Sequence, residues 1–183
     1  MYLCIDLKSF YASVEAVERG LDPFKAPLVV ADASRGGGAI CLSITPALKA
    51  LGVRNRCRLF EIPDNIEYIA AKPRMKKYME YSADIYSEYL KYISPEDIYV
   101  YSIDECFFNI TPYFSMYGND VFKITHMLRN AVFKRKGIFA TAGIGTNMFL
   151  AKVALDVTAK KSKSGIGYLD EELFKKEIWH HRP

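Results

Sequence analysis

No apolar run in this 183-residue chain reaches the roughly 18 residues that a membrane-spanning helix needs. The opening Met1-Tyr2-Leu3-Cys4-Ile5-Asp6 lacks the basic end and longer apolar core of a signal peptide. The sequence therefore predicts a cytoplasmic protein without a membrane span. Cysteine is scarce: Cys4, Cys41, Cys57 and Cys106 show no C-x-x-C spacing, which argues against a zinc site or a disulfide framework and fits a reducing compartment. There is no internal repeat and no low-complexity segment. With 50% apolar and 25% charged residues the composition is that of a folded domain, not a disordered chain. Net charge is only +4, too mild to imply nucleic acid by itself. The distribution says more, because bases cluster at 54–58, 72–77, 134–136 and 160–163 around an acidic centre. Any one cluster reads as a solvated face; four together suit a polyanion partner.

The acidic centre is Tyr99-Val100-Tyr101-Ser102-Ile103-Asp104-Glu105-Cys106-Phe107-Phe108-Asn109-Ile110, two β-branched and aromatic runs flanking an Asp-Glu pair. It reads as two short strands with acids at their junction. Asp6 ends a further strand over residues 2–7, and Ser9 caps a predicted helix over about 10–19 that Gly20 stops. The amides opening that helix carry the positive end of its dipole and suit a phosphate.

Further along, strands are predicted at 27–32 and 39–43, joined by Ser34-Arg35-Gly36-Gly37-Gly38. No Gly-Lys-Ser/Thr follows those glycines, so they read as a plain loop. Thr45-Pro46 opens a short helix carrying Lys49, closed by Gly52, and a strand returns at 66–71. After Pro73 a long helix presents Met75, Tyr78, Met79, Ser82, Ile85, Tyr86, Tyr89, Leu90 and Ile93 as one buried stripe. Strands at 97–103 and 105–111, a helix near 119–136 and a strand at 138–145 come next. A helix over 147–160 has Phe149, Leu150, Val153, Ala154 and Val157 in phase. A strand at 166–169 and a helix from Asp170 complete the pattern.

With 11–70 set aside as an insertion, the order is strand, helix, two hairpin-linked strands, helix, strand. That is the split βαβ, ferredoxin-like order, an α+β fold. In it the first and second strands run parallel with the third between them. Asp6 and the Asp104-Glu105 junction then come to one edge of the sheet, provided the hairpin bends there so that adjacent residues aim at one site. Two carboxylates about 4 Å apart repel by roughly 4 kcal/mol at an effective dielectric near 20, which divalent cations relieve. An oxygen-only donor set suits Mg²⁺ or Mn²⁺, and two such ions about 4 Å apart clamp the oxygens of a phosphoryl transfer. The plainer alternative is three solvated acids at strand ends.

Three motifs carry a resemblance: Ile5-Asp6-Leu7-Lys8-Ser9-Phe10-Tyr11-Ala12-Ser13-Val14-Glu15, Ser102-Ile103-Asp104-Glu105, and Gly143-Ile144-Gly145-Thr146-Asn147 with Leu150-Ala151-Lys152. In order, over residues 2 to about 169, they resemble the Y-family translesion DNA polymerases, and 45–52 resembles the UmuC-type branch. The resemblance implies a palm from 1–10 and 71–168, fingers from 11–70, and the start of a thumb from 169–183. It implies two Mg²⁺ held by Asp6, Asp104, Glu105 and the Leu7 carbonyl. Amides of Ser9 and Phe10, with Ser43, Lys49 and Lys160, would hold the triphosphate of a deoxynucleotide, and Tyr11 would lie under its sugar as a steric gate. The implied partners are primer-template DNA and deoxynucleoside triphosphates. A sliding clamp and SOS-response proteins would be reached through a C-terminal part.

The chain also departs from that pattern. Pro46 and Lys49 stand where many members have Tyr or Asn and Arg, and a lysine is a point charge, not a planar fork. Lys160 aligns only with a one-residue gap, and Lys8 replaces an acid. The thumb and C-terminal domain are missing after Trp179-His180-His181-Arg182-Pro183, so a fragment with weak metal and nucleotide binding and poor primer extension is expected. The two histidines have no companion ligands nearby and read as an exposed end. Two other readings stay open: a nucleotidyl cyclase on the same sheet edge, against which Tyr11 argues, and a non-enzymatic DNA-binding or regulatory module.

Overall fold

The structure, a computed structural model, describes residues 1–179; His180, His181 and the end of the predicted 169–183 segment lie outside the described residues. In chain order the elements are β1 (Tyr2–Leu7), α1 (Phe10–Glu18), β2 (Leu28–Val30), β3 (Ser43–Ile44), α2 (Pro46–Ala50), β4 (Ile69–Ala71), α3 (Met75–Tyr89), β5 (Ile98–Val100), β6 (Glu105–Asn109), α4 (Val121–Lys136), β7 (Ala140–Gly145), α5 (Met148–Val153), β8 (Ile166–Leu169) and α6 (Glu171–Leu173). Helix α5 runs on without a break through a π-turn at Ala154–Thr158 and a 3₁₀ turn at Ala159–Lys161. The chain divides into two compact units: one of 1–7, 83–135 and 139–183, the other of 8–82 and 136–138.

The first unit is built on a five-stranded sheet ordered β5-β6-β1-β7-β8. β6 is antiparallel to both β1 and β5, and β1 is antiparallel to β7. This is the split βαβ arrangement, with β8 added in parallel beside β7. As the central strand, β1 buries Leu3, Cys4 and Ile5 almost completely, which is why its apolar residues run unbroken instead of alternating. Phe107 and Phe108 point to opposite faces. Phe107 joins Cys4, Ala151, Leu155 and Ala159 under the α5 side, while Phe108 meets the Tyr89 ring at 4.9 Å, edge on.

Glycine makes the α5 packing possible. A Cβ on Gly143 would fall 2.1 Å from the Ala151 carbonyl oxygen, one on Gly145 2.3 Å from the Ala151 nitrogen, and one on Gly167 2.0 Å from Thr158 Oγ1. The helix thus lies directly against the backbone of β7 and β8.

The second unit holds a three-stranded sheet ordered β3-β2-β4. Its core comprises Val29, Ala31, Cys41, Ile44, Leu48, Val53, Cys57 and Ile62. Thr45 caps α2 as expected, its Oγ1 accepting from the Leu48 amide, and Gly52 follows with φ +89°.

Several expectations are corrected. Ser9 does not cap α1 with its side chain: its backbone is left-handed (φ 51°, ψ 46°) and its hydroxyl goes elsewhere. The strand expected at 39–43 shrinks to β3 plus a single Ile40–Arg58 bridge. On α3 Met75 and Met79 are exposed, as is Leu90 just past its end, while Tyr81 and Glu88 are buried beside Tyr78, Ile85 and Tyr89. The helix over 147–160 is not regular, and Phe149 is exposed.

Candidate active site

In the first unit, Asp6 on β1 stands directly opposite Glu105 on β6 in the antiparallel register. Residues paired in this way project to the same face, the face that carries Cys4 and Phe107. Asp104 lies in the bend just before β6, where its carbonyl accepts from the Leu7 amide at 2.9 Å. The bend is closed by the Tyr101 and Ser102 amides, both donating to the Glu105 carbonyl. Ser102 Oγ donates to Asp104 Oδ1 at 2.8 Å. Strand order thus brings Asp6, Leu7, Asp104 and Glu105 to one edge.

Like charges opposite one another in a sheet are unfavourable, and the titration of Asp6 reflects it. Burial first, then Asp104 and Glu105, push its carboxyl up to about 6 from 3.8, against the opposing pull of Lys160 and Lys152. The same charges act on the nearby thiols. Burial and Glu105 raise Cys4 strongly, and burial with Glu105 and Asp104 pushes Cys106 up to about 12, so neither is a nucleophile at neutral pH.

Glu105, only 7% exposed, is held by a cation already present. Its Oε1 pairs with Lys152 Nζ and accepts from Cys4 Sγ at 3.3 Å. Lys152 also reaches Asp156 Oδ2 at 3.2 Å, and Lys160 meets Asp156 Oδ1 at 2.7 Å. Signs therefore alternate from the sheet edge along the helix: Glu105, Lys152, Asp156, Lys160. Burial draws the Lys152 ammonium down, but the hydrogen bonds it donates to Glu105 and Asp156 outweigh it and keep it charged. For Asp156, burial is likewise outweighed by the two lysines, and its pKa falls. Among the described residues no group of three or more His, Cys, Asp or Glu closes on a single point. What the edge presents is two opposed carboxylates, a third in the adjoining bend, and a lysine bound to one of them. Sequence reasoning used Lys152 only as part of a motif and passed over Asp156; the i, i+4 spacing of 152, 156 and 160 was the available signal.

In the second unit, Ser9 Oγ accepts from Lys49 Nζ at 2.9 Å, so the residue that opens α1 is tied to α2. Phe10 is buried. Ser43 on β3 is 8% exposed, its Oγ accepting from the Ala12 amide at 3.3 Å. Tyr11, half-buried on the first turn of α1, stacks on Tyr78 with ring centroids 4.5 Å apart and planes 14° from parallel. The same unit has an open cleft of about 590 Å³ with exposed Ile40 and Leu42 beside Arg35, Arg58 and Lys72.

Sequence reading did not anticipate Glu15. It is fully buried, receiving Arg74 Nε and Nη2 at 2.8 and 2.9 Å, the Tyr78 hydroxyl at 2.9 Å, and Arg19. These partners outweigh burial and hold its carboxyl below the ordinary range.

Comparison with known proteins gives a consistent picture. The family model described as "impB/mucB/samB family" matches residues 5–156. The UV-damage repair protein UvrX of Bacillus subtilis (strain 168), whose name is recorded as putative, is 35% identical over 182 residues, covering 99% of this chain and 42% of UvrX. DNA polymerase IV 2 of the same organism is 36% identical over 179 residues, covering 96% of this chain and 42% of that protein. This chain thus spans less than half the length of these relatives. Among solved structures, DinB from Sulfolobus solfataricus matches with a TM-score of 0.74 at 22% identity, over 96% of this chain and 50% of that one, a likeness of fold.

Proposed function

The chain belongs to the impB/mucB/samB family of Y-family DNA polymerases, and on that premise we propose that it supplies the palm and fingers of a translesion DNA polymerase, adding deoxynucleotides to a primer 3′-hydroxyl. The palm comprises 1–10 and 71–168, the fingers 11–70, with the start of a thumb from 169. The observation that carries this reading is the opposition of Asp6 and Glu105 across β1 and β6, with Asp104 in the adjoining bend. Burial, and after it the charges of Asp104 and Glu105, push the Asp6 carboxyl up to about 6 at this sheet edge, and an all-oxygen donor set fits a hard divalent cation.

Asp6, Asp104, Glu105 and the Leu7 carbonyl would hold two Mg²⁺ or Mn²⁺ ions. Such ions activate the attacking hydroxyl and neutralise the departing pyrophosphate. The protein's own part is charge and position. Lys152 holds the Glu105 carboxylate in place while no cation is bound. Lys160 and Lys49 offer positive charge to the triphosphate, with the Ser9 and Phe10 amides and Ser43 as shorter-range donors. Lysine in these places neutralises charge without fixing the phosphate plane, so nucleotide contacts are looser than a guanidinium would give. The Tyr11 ring lies under the sugar and favours deoxynucleotides. The Ile40 and Leu42 cleft, rimmed by Arg35, Arg58 and Lys72, takes the template strand. The protein acts in the cytoplasm, and a clamp and SOS-response proteins are its expected further partners. No described helix is long and apolar enough to cross a membrane.

Calorimetric titration of the chain with deoxynucleotide in the presence and absence of MgCl₂ tests this, alongside single-nucleotide addition to a primer. Wild type binds saturably only with metal, and Asp104→Ala weakens binding by about tenfold or more. Binding that ignores both metal and Asp104→Ala would leave the acids as solvated surface charges; cyclic product from a ribonucleotide would point to a cyclase.

A further inference from the structure

We propose that Tyr78, held by Glu15 and Arg74, is the positioning residue that fixes the Tyr11 ring and thereby sets how strictly the site excludes a 2′-hydroxyl. This rests on the reading of Tyr11 as the sugar gate and goes beyond it, since none of the three is assigned a contact with the nucleotide.

A steric gate works only if its ring cannot yield. Tyr11 has two side-chain torsions and sits, half-buried, in the first turn of α1. Lying along its ring face is Tyr78, near parallel at a centroid distance of 4.5 Å. Tyr78 is in turn fixed: it is 0% exposed, and its hydroxyl donates to Glu15 Oε1 at 2.9 Å. Glu15 is itself 0% exposed and is gripped by the paired Arg74 nitrogens at 2.8 and 2.9 Å. A two-toothed guanidinium–carboxylate contact fixes orientation as well as charge.

Helical spacing supplies the remaining link. Tyr11 and Glu15 are i and i+4, hence neighbours on one face of α1. One ring from α3 therefore lies on the gate and reports to an acid one turn further along the same helix. A purely structural buried ion pair would not need a flat ring interposed between it and Tyr11. Burying a carboxylate also carries a desolvation penalty that an apolar contact would avoid, and here that carboxylate fixes the backstop of the gate.

The test is the affinity ratio for dCTP over CTP, measured calorimetrically with Mg²⁺ and primer-template on wild type, Tyr11→Ala, Tyr78→Phe and Tyr78→Met. Methionine fills the Tyr78 space flexibly and preserves the core, and phenylalanine keeps the ring. Thermal melts of each variant accompany the titrations. The expected result is a ratio near one for Tyr11→Ala, a fall of about fivefold or more for Tyr78→Met, and a smaller fall of about two- to threefold for Tyr78→Phe, which keeps the ring but loses its bond to Glu15, with dCTP affinity itself little changed. If Tyr11→Ala collapses the ratio while Tyr78→Met keeps it, the inference is overturned and the gate stands. If Tyr11→Ala leaves the ratio unaltered, the gate reading falls first. Should Tyr78→Met lose its fold, Arg74→Lys decides between the outcomes. It loosens the grip on Glu15 from an exposed position, and an unchanged ratio in that variant overturns the proposal.

Discussion

At Ser9 the backbone takes a left-handed conformation that costs a non-glycine residue about 1–2 kcal/mol. The turn follows β1 by two residues and opens α1, and it leaves the hydroxyl bonded to Lys49 instead of capping the helix. Local strain of this kind persists where surrounding structure over-determines it, most often at functional sites. Asp6 carries the other residue-level tension. Its folded-state pKa of about 6 lies above the ordinary 3.8, so the stability it contributes is fully present below about pH 3.8 and is lost as pH rises through about 6. Asp6→Asn should therefore raise the unfolding free energy at pH 8 by on the order of 3 kcal/mol, since a tenfold change in proton affinity corresponds to about 1.4 kcal/mol. The gain should vanish near pH 4. Urea titrations at the two pH values check this, and an equal effect at both would mean that Asp6 is not opposed by its neighbours. Metal binding should weaken below about pH 6 for the same reason, as protons compete for Asp6. That is read by titrating Mg²⁺ at pH 5 and 8.

At the scale of elements, the segment from Gly143 to Lys160 joins packing to chemistry. The Gly143-Ile144-Gly145 motif looks functional in the sequence, yet its glycines act by having no side chain. Backbone atoms of Ala151 and Leu155 occupy the space a Cβ would need on Gly143. Gly143→Ala should destabilise the protein by about 3 kcal/mol or more, the upper range for overpacking, because backbone and not a flexible side chain must move. It should also loosen Lys152 from Glu105. Chemical unfolding measures the first effect; a loss below about 0.5 kcal/mol would show that the helix is not seated as described. What the sequence discloses at this scale follows from the kind of signal. β1, β6, β7 and β8 are legible as short apolar runs bounded by turn residues, and α3 and α4 by their helical apolar spacing. The convergence of Asp6 with Asp104 and Glu105 is legible because the order of elements dictates strand order. The exposure of Met75, Met79 and Phe149 is not, since periodicity defines a stripe without saying how wide the covering partner is. Glu15 looks like a solvated helix acid, because its partner Arg74 lies 59 residues away and no local pattern announces it.

Over the whole molecule, each unit is assembled from separated stretches, with α3 divided between Ser82 and Ala83. Neither unit is a continuous segment, so no single cut in the chain yields one of them intact. The strand order adds a kinetic consequence. β1 finds its hydrogen-bonding partners in β6 and β7, roughly a hundred residues or more away, and contacts of such separation fold slowly because loop closure precedes any return. Pulse-labelled hydrogen exchange during refolding should show the amides of α3 and α4 protected before those of β1. Protection of β1 first would contradict this. On a ribosome, the same geometry means that Tyr2-Leu3-Cys4-Ile5, made well before its partners and destined for the centre of the sheet, has neither neighbour until Asn109 emerges and lacks its second until Gly145 has been synthesised. Nascent chains should accordingly be clients for holdase chaperones until Gly145 has emerged.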